Sequence, residues 1–322
     1  MRGRSVHWMR GVPGFAIATA CLVVACSSHA PTAAQKPPDR GTRARTQLPK
    51  PVAGSGITPP VSQTTLPSGV APGTSVVATL TSNGVQRSYR LHAPASFRAG
   101  APPPLVVVLH GANGNAGRVE LRYHWDSLSN RDGFFVVYPQ GLLDQWNVAL
   151  DPRAADDVGF LTGVIDHLVA AFSLDPSRVY VAGMSSGAAM AYRLACAMSA
   201  RIAALASVEG ANPGCRPARP VSMVAVHGLA DTQVSFASAQ RSVAAWRDDD
   251  GCEAGARTQR TGSVTLTVWA PCAAGTTVEL FGVDGAGHEW PGSSPPLPNH
   301  DPPSNDLDAT GVIWDFFRQL SR

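Results

Sequence analysis

An α/β fold, with a mostly parallel sheet covered by helices on both faces, is predicted by two patterns in the sequence. Continuous apolar runs, such as PLVVVLH at 104–110 and GFFVVY at 133–138, suit strands buried on both sides. They are interleaved with stretches that repeat apolar residues at helical spacing, such as DVGFLTGVIDHLVAAF at 157–172. Strands alternating with helices select a parallel sheet, because each parallel crossover needs a helix-length connection.

The elements follow in order. Val76–Thr81 and Val85–Leu91 flank Asn83-Gly84, a dipeptide suited to a tight hairpin. Strands are expected at Pro104–His110 and Gly133–Tyr138, then a helix at Asp157–Phe172 with Asp156 or Asp157 as its N-cap. A strand at Arg178–Ala182 leads into a helix at Gly187–Met198. Strands at Ile202–Val208 and Val221–Val226 precede a helix at Ala237–Arg247. Strands at Val264–Trp269 and Thr277–Val283 come next, and Asp308 caps a last helix, Ala309–Leu320. The one long irregular stretch is Pro291–Pro303. Between the helix ending at Met198 and the strand at Val221 there is room for a strand and no cap domain, so an open cleft is expected.

With 322 residues, 44% of them hydrophobic, the chain can build a large core. Its net charge of +3 comes from the amino-terminal end. Residues 1–25 hold three arginines and no acid, and residues 26–60 hold five bases and one acid. Residues 61–322 are left with a net charge of −4. A negatively charged folded part argues against nucleic-acid binding, which requires a basic face. No apolar run reaches the length of a membrane span, and no coiled coil or repeat array is present.

Arg2, Arg4 and Arg10 precede GVPGFAIATACLVVA at 11–25, the pattern of an export signal. Val23-Val24-Ala25-Cys26 resembles a bacterial lipobox, which implies lipidation at Cys26 and a membrane partner reached through that anchor. Residues 26–74 are rich in Pro, Thr, Ser, Ala and Gly and cannot bury enough surface to offset their ordering entropy, so they read as a tether. The expected division is therefore a signal at 1–25, a lipid-site cysteine and tether at 26–74, and a folded domain at 75–322. Cys21 is lost with the signal. Cys196, Cys215, Cys252 and Cys272 remain and allow three disulfide connectivities, of which neighbour pairing closes two loops of similar length. There is no C-x-x-C and no histidine at ligand spacing, so neither a metal nor another cofactor is expected.

The chemistry gathers at strand ends. The strand RVYVA runs into Gly183-Met184-Ser185-Ser186-Gly187 and then a helix-forming stretch. This is G-x-S-x-G in the strand–turn–helix context that projects a serine oxygen clear of the backbone. A nucleophilic serine needs a base, and the base needs an orienting acid. His288, in GAGHEW just past a strand, is the candidate base. His227 ends its own strand and reads as structural, and His300 lies in a Pro-rich loop facing solvent. Asp231, four residues past a strand, is the candidate acid, with Asp284 as the second choice. Oxyanion donors are expected from the backbone N–H groups of Ser186 and of Ala112, the latter in the glycine loop after the early strand.

These blocks together carry a resemblance. LHGANGNA, YPQG, Trp146-Asn147, DDVGFL, GMSSG, HGLAD and GAGHEWPG occur in the order seen in the polyhydroxybutyrate depolymerase and feruloyl/acetylxylan esterase group, over roughly residues 75–322. The chain is most similar to bacterial lipoprotein members of that group. The resemblance implies an α/β-hydrolase fold, a serine triad that maps onto Ser185, Asp231 and His288, and an oxyanion loop at Gly111-Ala112. It also implies the pairings Cys196–Cys215 and Cys252–Cys272. Two departures are visible: Ser186-Gly187-Ala188 stands where Asn-Gly-Gly often follows the nucleophile, and Ala112-Asn113 stands where Cys-Gly is common.

The expected reaction is two-step hydrolysis of a small or oligomeric carboxylic ester. His288 takes the serine proton, Asp231 holds the imidazole tautomer, and the Ala112 and Ser186 amides stabilise the oxyanion. Trp146, Asn147 and Trp290, with the Pro291–Pro303 loop, are the candidate walls of the substrate cleft. A serine peptidase of the same fold and an inactive lipid-anchored binding protein are the competing expectations.

Overall fold

The computed structural model describes residues 70–96 and 102–322. The expected signal, the lipid site at Cys26 and nearly all of the tether lie outside the described residues. No described helix is long and apolar enough to cross a membrane.

Among the described residues, ten strands form one sheet. They are β1 (Ser75–Ser82), β2 (Val85–His92), β3 (Leu105–Leu109), β4 (Phe135–Pro139), β5 (Val179–Met184), β6 (Ile202–Val208), β7 (Ser222–Gly228), β8 (Arg257–Thr261), β9 (Val264–Trp269) and β10 (Val278–Val283). Their spatial order is β1-β2-β4-β3-β5-β6-β7-β10-β9-β8. The six central strands pair in parallel, whereas β1 and β2 at one edge and β9 and β8 at the other pair antiparallel. All residues of β3, β4, β5, β6 and β7 are buried, as their largely apolar runs require.

Among the described residues, six α-helices supply the cover: α1 (Ala116–Arg122), α2 (Trp125–Asp132), α3 (Asp157–Phe172), α4 (Ser186–Ala197), α5 (Phe236–Asp249) and α6 (Ala309–Phe317). Alternation along each strand divides the core in two. Val107, Val181, Leu205 and Met223 pack with Phe160 of α3, Met190 of α4 and Trp246 of α5. Val106, Ala182, Ala204 and Val224 pack with Val119 of α1, Trp125 of α2 and Phe317 of α6. Truncating one such side chain, for example Leu205→Ala, is expected to cost about 2–5 kcal/mol.

Asp156 caps α3 by accepting from Gly159 N–H at 2.8 Å, while Asp157 turns inward to Arg87 at 2.7 Å. Asp308 caps α6 by accepting from Gly311 N–H at 3.1 Å, and that helix stops at Phe317, three residues short of the expected end. Three elements were not expected. Helices α1 and α2 are too short and too polar to show a helical period, and α1 starts because Asn115 accepts from Arg118 N–H at 2.9 Å. Strand β8, RTQRT, has no apolar residue and is exposed throughout; it forms because β9 offers a partner across the Gly262 turn.

Two disulfides join Cys196 to Cys215 and Cys252 to Cys272. The first ties the end of α4 to the loop after β6. The second ties the loop after α5 to the turn after β9. Between α4 and β7 the chain holds only β6 and this bridged loop, with no cap. Strand β1 starts at the sheet end remote from the carboxyl ends of the central strands: Ser75 pairs with His92, and His92 with Val136 near the start of β4.

Candidate active site

Ser185 sits between β5 and α4 with φ 55° and ψ −120°, a conformation that non-glycine residues rarely adopt. Such strain typically costs about 1–3 kcal/mol and persists only where the surroundings enforce it. They do so here by close backbone approach. A Cβ on Gly187 would lie 2.4 Å from the His110 carbonyl oxygen and 2.5 Å from that of Leu109, so only glycine lets α4 press onto the end of β3. Ser185 N–H donates to Val208 O at 2.9 Å, which fixes the turn to β6.

His288 reaches this serine from the loop after β10. Its Nε2 lies 3.0 Å from Ser185 Oγ, and its Nδ1 lies 2.7 Å from Asp231 Oδ2. An ionised carboxylate can only accept, so Nδ1 carries the proton and Nε2 presents its lone pair to the hydroxyl. Asp231 Oδ1 accepts from Gln233 N–H at 2.8 Å and Val234 N–H at 2.9 Å, which leaves Oδ2 for the imidazole. Burial alone would raise the Asp231 carboxyl; the hydrogen bonds from His288, Val234 and Gln233 outweigh it and hold the group below its ordinary value.

The acid and histidine loops interlock. A Cβ on Gly228 would meet the Ala286 carbonyl oxygen at 2.2 Å, and Ala230 N–H donates to that oxygen at 2.9 Å. The other candidates go elsewhere. Asp284 pairs with the exposed Arg260. His227 donates from Nε2 to Val234 O at 2.7 Å, and burial depresses its pKa. His300 is half-exposed at the rim of the cleft, 3.3 Å from Glu289.

The loop at 110–114 lies against the serine: a Cβ on Gly111 would sit 3.5 Å from Ser185 Cβ. Asn113 N–H donates to Asp144 O at 2.9 Å and Gly114 N–H to Gly111 O at 3.0 Å, which shapes the loop. Among the described residues, neither Ala112 N–H nor Ser186 N–H is matched with a protein acceptor. Ala112 lines the cleft beside the serine, and Ser186 follows Ser185 and opens α4, where first-turn amides lack helical partners.

The cleft over the serine has a volume of about 260 Å³. Besides the residues above, Asn113, Arg118, Tyr123, Gln233, Leu297 and His300 line it. The Pro291–Pro303 loop thus forms part of the wall. Arg122 holds it in place, donating to Pro295 O at 2.8 Å and pairing with Glu289 at 2.8 Å in a buried salt bridge.

The aromatic wall expected from the sequence is corrected. Trp290 is fully buried; it stacks on Tyr123 at 4.2 Å and donates to Thr310 Oγ1 at 3.0 Å, so it supports a wall residue from behind. Trp146 is buried against His110, to whose carbonyl oxygen its Nε1 donates at 2.8 Å. The Asn147 amide is engaged with the Asp151 and Ala155 carbonyls at 2.9 and 3.0 Å. All three brace the loops behind the cleft, because the polar atoms that would face substrate are taken by backbone carbonyls or, for Trp290, by the Thr310 hydroxyl.

Sequence reasoning missed Glu209, at the carboxyl end of β6. Its side chain is fully buried, and its backbone has φ 47°. Both carboxyl oxygens lie within hydrogen-bond reach of Gly228 N–H, at 2.9 and 3.0 Å. A glutamate in a strand-end turn ordinarily faces solvent, so the local sequence SVEGANP gives no signal of this placement.

A serine on a strand–helix elbow, with a carboxylate and an imidazole from two later strand ends of a mostly parallel sheet, defines an α/β-hydrolase. Residues 87–216 match the family model described as esterase PHB depolymerase. The chain is 27% identical to the bifunctional acetylxylan esterase/xylanase XynS20E of Neocallimastix patriciarum, over 73% of this chain and 34% of that protein. It is 29% identical to the putative esterase NocK of Nocardia uniformis subsp. tsuyamanensis, over 70% of this chain and 77% of that protein. The chain therefore spans about a third of the first of these relatives and about three quarters of the second. The solved acetyl xylan esterase from Aspergillus awamori shares the fold, with a TM-score of 0.57 and 18% identity over 73% of this chain and 99% of that one. Over this span and these relatives the chain is similar to the polyhydroxybutyrate depolymerase and feruloyl/acetylxylan esterase group.

Proposed function

We propose that the chain is an exported serine esterase that hydrolyses carboxylic esters of the acetyl, aryl or 3-hydroxyacyl type through an acyl-enzyme. The observation that carries this reading is the continuous relay from Ser185 Oγ through His288 to Asp231, at 3.0 and 2.7 Å. His288 takes the Ser185 proton as Oγ attacks the carbonyl carbon, and the amides of Ala112 and Ser186 hold the oxyanion of the tetrahedral intermediate. His288 then returns the proton to the leaving alcohol, and water repeats the sequence to release the acid. The uncapped cleft suits an ester carried on a larger molecule. Two disulfides fit an oxidising compartment, and the basic and apolar leader with Cys26 fits export with lipid anchoring at a membrane surface.

The test is turnover of p-nitrophenyl acetate by the parent and by Ser185→Ala. We expect the parent to turn over and the variant to lose nearly all activity while keeping its fold. Equal rates would reject the mechanism. Rates on methyl ferulate, acetylated xylan and 3-hydroxybutyrate oligomers would then rank the substrate classes.

A further inference from the structure

A second carboxyl group lies behind the relay. Glu209, at the end of β6, faces the Asp231 side chain: one polar atom each of Glu209, Asp231 and His288 falls within 4.8 Å of the other two, and His227 Nε2 lies 3.4 Å from Glu209 and 3.3 Å from Asp231. The chain is bent to put it there. Glu209 occupies a left-handed backbone conformation, its N–H donates to Val226 O at 3.0 Å, and its carboxyl oxygens face Gly228 N–H on β7.

Two carboxyl groups this close in a dry site do not both hold a charge. Counting donors decides which one keeps it. Asp231 accepts from three N–H groups, those of His288, Gln233 and Val234. Glu209 has only the Gly228 N–H, and His227, whose Nε2 lies 3.4 Å away, already donates to Val234 O. The charge therefore stays on Asp231. The remaining ionisable groups facing Glu209 are His227 on β7 and His288 and Asp301 on the loop after β10. Asp301 adds a further negative field, and burial with the Asp231 contact pushes the Glu209 carboxyl up to about 10.

We propose that Glu209 is a positioning residue: as a neutral carboxylic acid it donates its proton in a hydrogen bond to the Asp231 carboxylate and thereby sets both the orientation of that carboxylate and its pull on His288. A donor on Asp231 draws charge away from the oxygen facing the imidazole. Its removal makes Asp231 the stronger partner of protonated His288, so the imidazole loses its proton at a higher pH. The same removal frees the carboxylate to rotate. The proposal rests on the esterase reading, since it concerns that reading's base.

The experiment follows the rate of Ser185 phosphonylation by a fluorophosphonate across pH, with steady-state hydrolysis of p-nitrophenyl acetate beside it, for the parent, Glu209→Gln and Glu209→Leu. Gln keeps a donor toward Asp231 and an acceptor toward Gly228, so we expect a rate within about threefold of the parent and an acid limb at the parental pH. Leu removes the donor, so we expect kcat to fall about tenfold with KM within twofold, and the acid limb to move up by about half a unit. An acid limb that moves down in Glu209→Gln means that Glu209 carried a charge and overturns the proposal, even if Glu209→Leu fails to fold. An unshifted limb in a folded Glu209→Leu overturns it as well. A parent that is never labelled fails the esterase reading itself, whereas a labelled parent with indifferent Glu209 variants fails only this inference.

Discussion

The backbone N–H of His288 donates to Asp301 Oδ2 at 2.7 Å, so the imidazole loop is held from the Pro-rich segment as well as from Asp231. Asp301 packs so closely under this loop that a Cβ on Gly287 would lie 2.2 Å from its carboxylate. Replacing Asp301 with Ala removes that hold without touching the relay atoms. We expect kcat to fall by up to about 10²-fold, the loss associated with misplacing a reacting group by about 1 Å. KM should change little. A variant with parental kcat would show that Asp231 and the Ala230–Ala286 hydrogen bond fix the loop without it.

Asp231→Asn tests the tautomer. Asparagine turns a donor or a weaker acceptor toward Nδ1, and the lone pair no longer faces Ser185 reliably. A loss of about 10⁴-fold in kcat is expected from the equivalent change in serine triads. Asp284→Asn, at the exposed partner of Arg260, should stay within about twofold of the parent. A reversal of these two effects, read by p-nitrophenyl acetate turnover, would reassign the acid.

Burying Glu209 makes folding stability depend on pH. Its carboxyl titrates at an ordinary value of 4.5 when unfolded and at about 10 when folded. The unfolded chain therefore releases a proton that the folded protein keeps, and stability from this group declines as pH rises between those values. Glu209→Gln has nothing to release. We expect its Tm to gain on that of the parent as pH goes from 6 to 9. A Tm difference independent of pH over that range would show that Glu209 is ionised in the fold.

Each disulfide spans about twenty positions, with separations of 19 and 20 residues. Loop closure of that size stabilises by about 3 kcal/mol. Cys196→Ala/Cys215→Ala should lower the midpoint of urea unfolding and should affect activity more than Cys252→Ala/Cys272→Ala. The first bridge anchors the far end of α4, the helix that Ser185 precedes, and the second ties the loop after α5 to the turn after β9. Equal activities at matched stability would contradict that ordering.

The parallel core was legible because β3, β4, β5, β6 and β7 are buried on both faces and need largely apolar runs. Helices α1 and α2 were not, since AGRVELR and WDSLSNRD bury only a few side chains each and carry no period. The strand-end placement of Ser185, Asp231 and His288 could be read from short motifs that set backbone turns. The cleft wall could not. A tryptophan beside a motif looks alike in sequence whether it faces substrate or, as Trp290 does, props up Tyr123 from the core. Tyr123 and Arg122 belong to a helix and its cap that the pattern did not reveal. Glu209 escaped notice because its burial depends on β7 and the acid loop, distant in sequence.

The direction in which the chain joins the sheet has a practical outcome. Ser75 enters beside the amino end of β4, whereas Ser185 and His288 open at the opposite pole. A probe attached at Ser75 therefore sits at the pole away from the cleft and leaves the approach to Ser185 unobstructed.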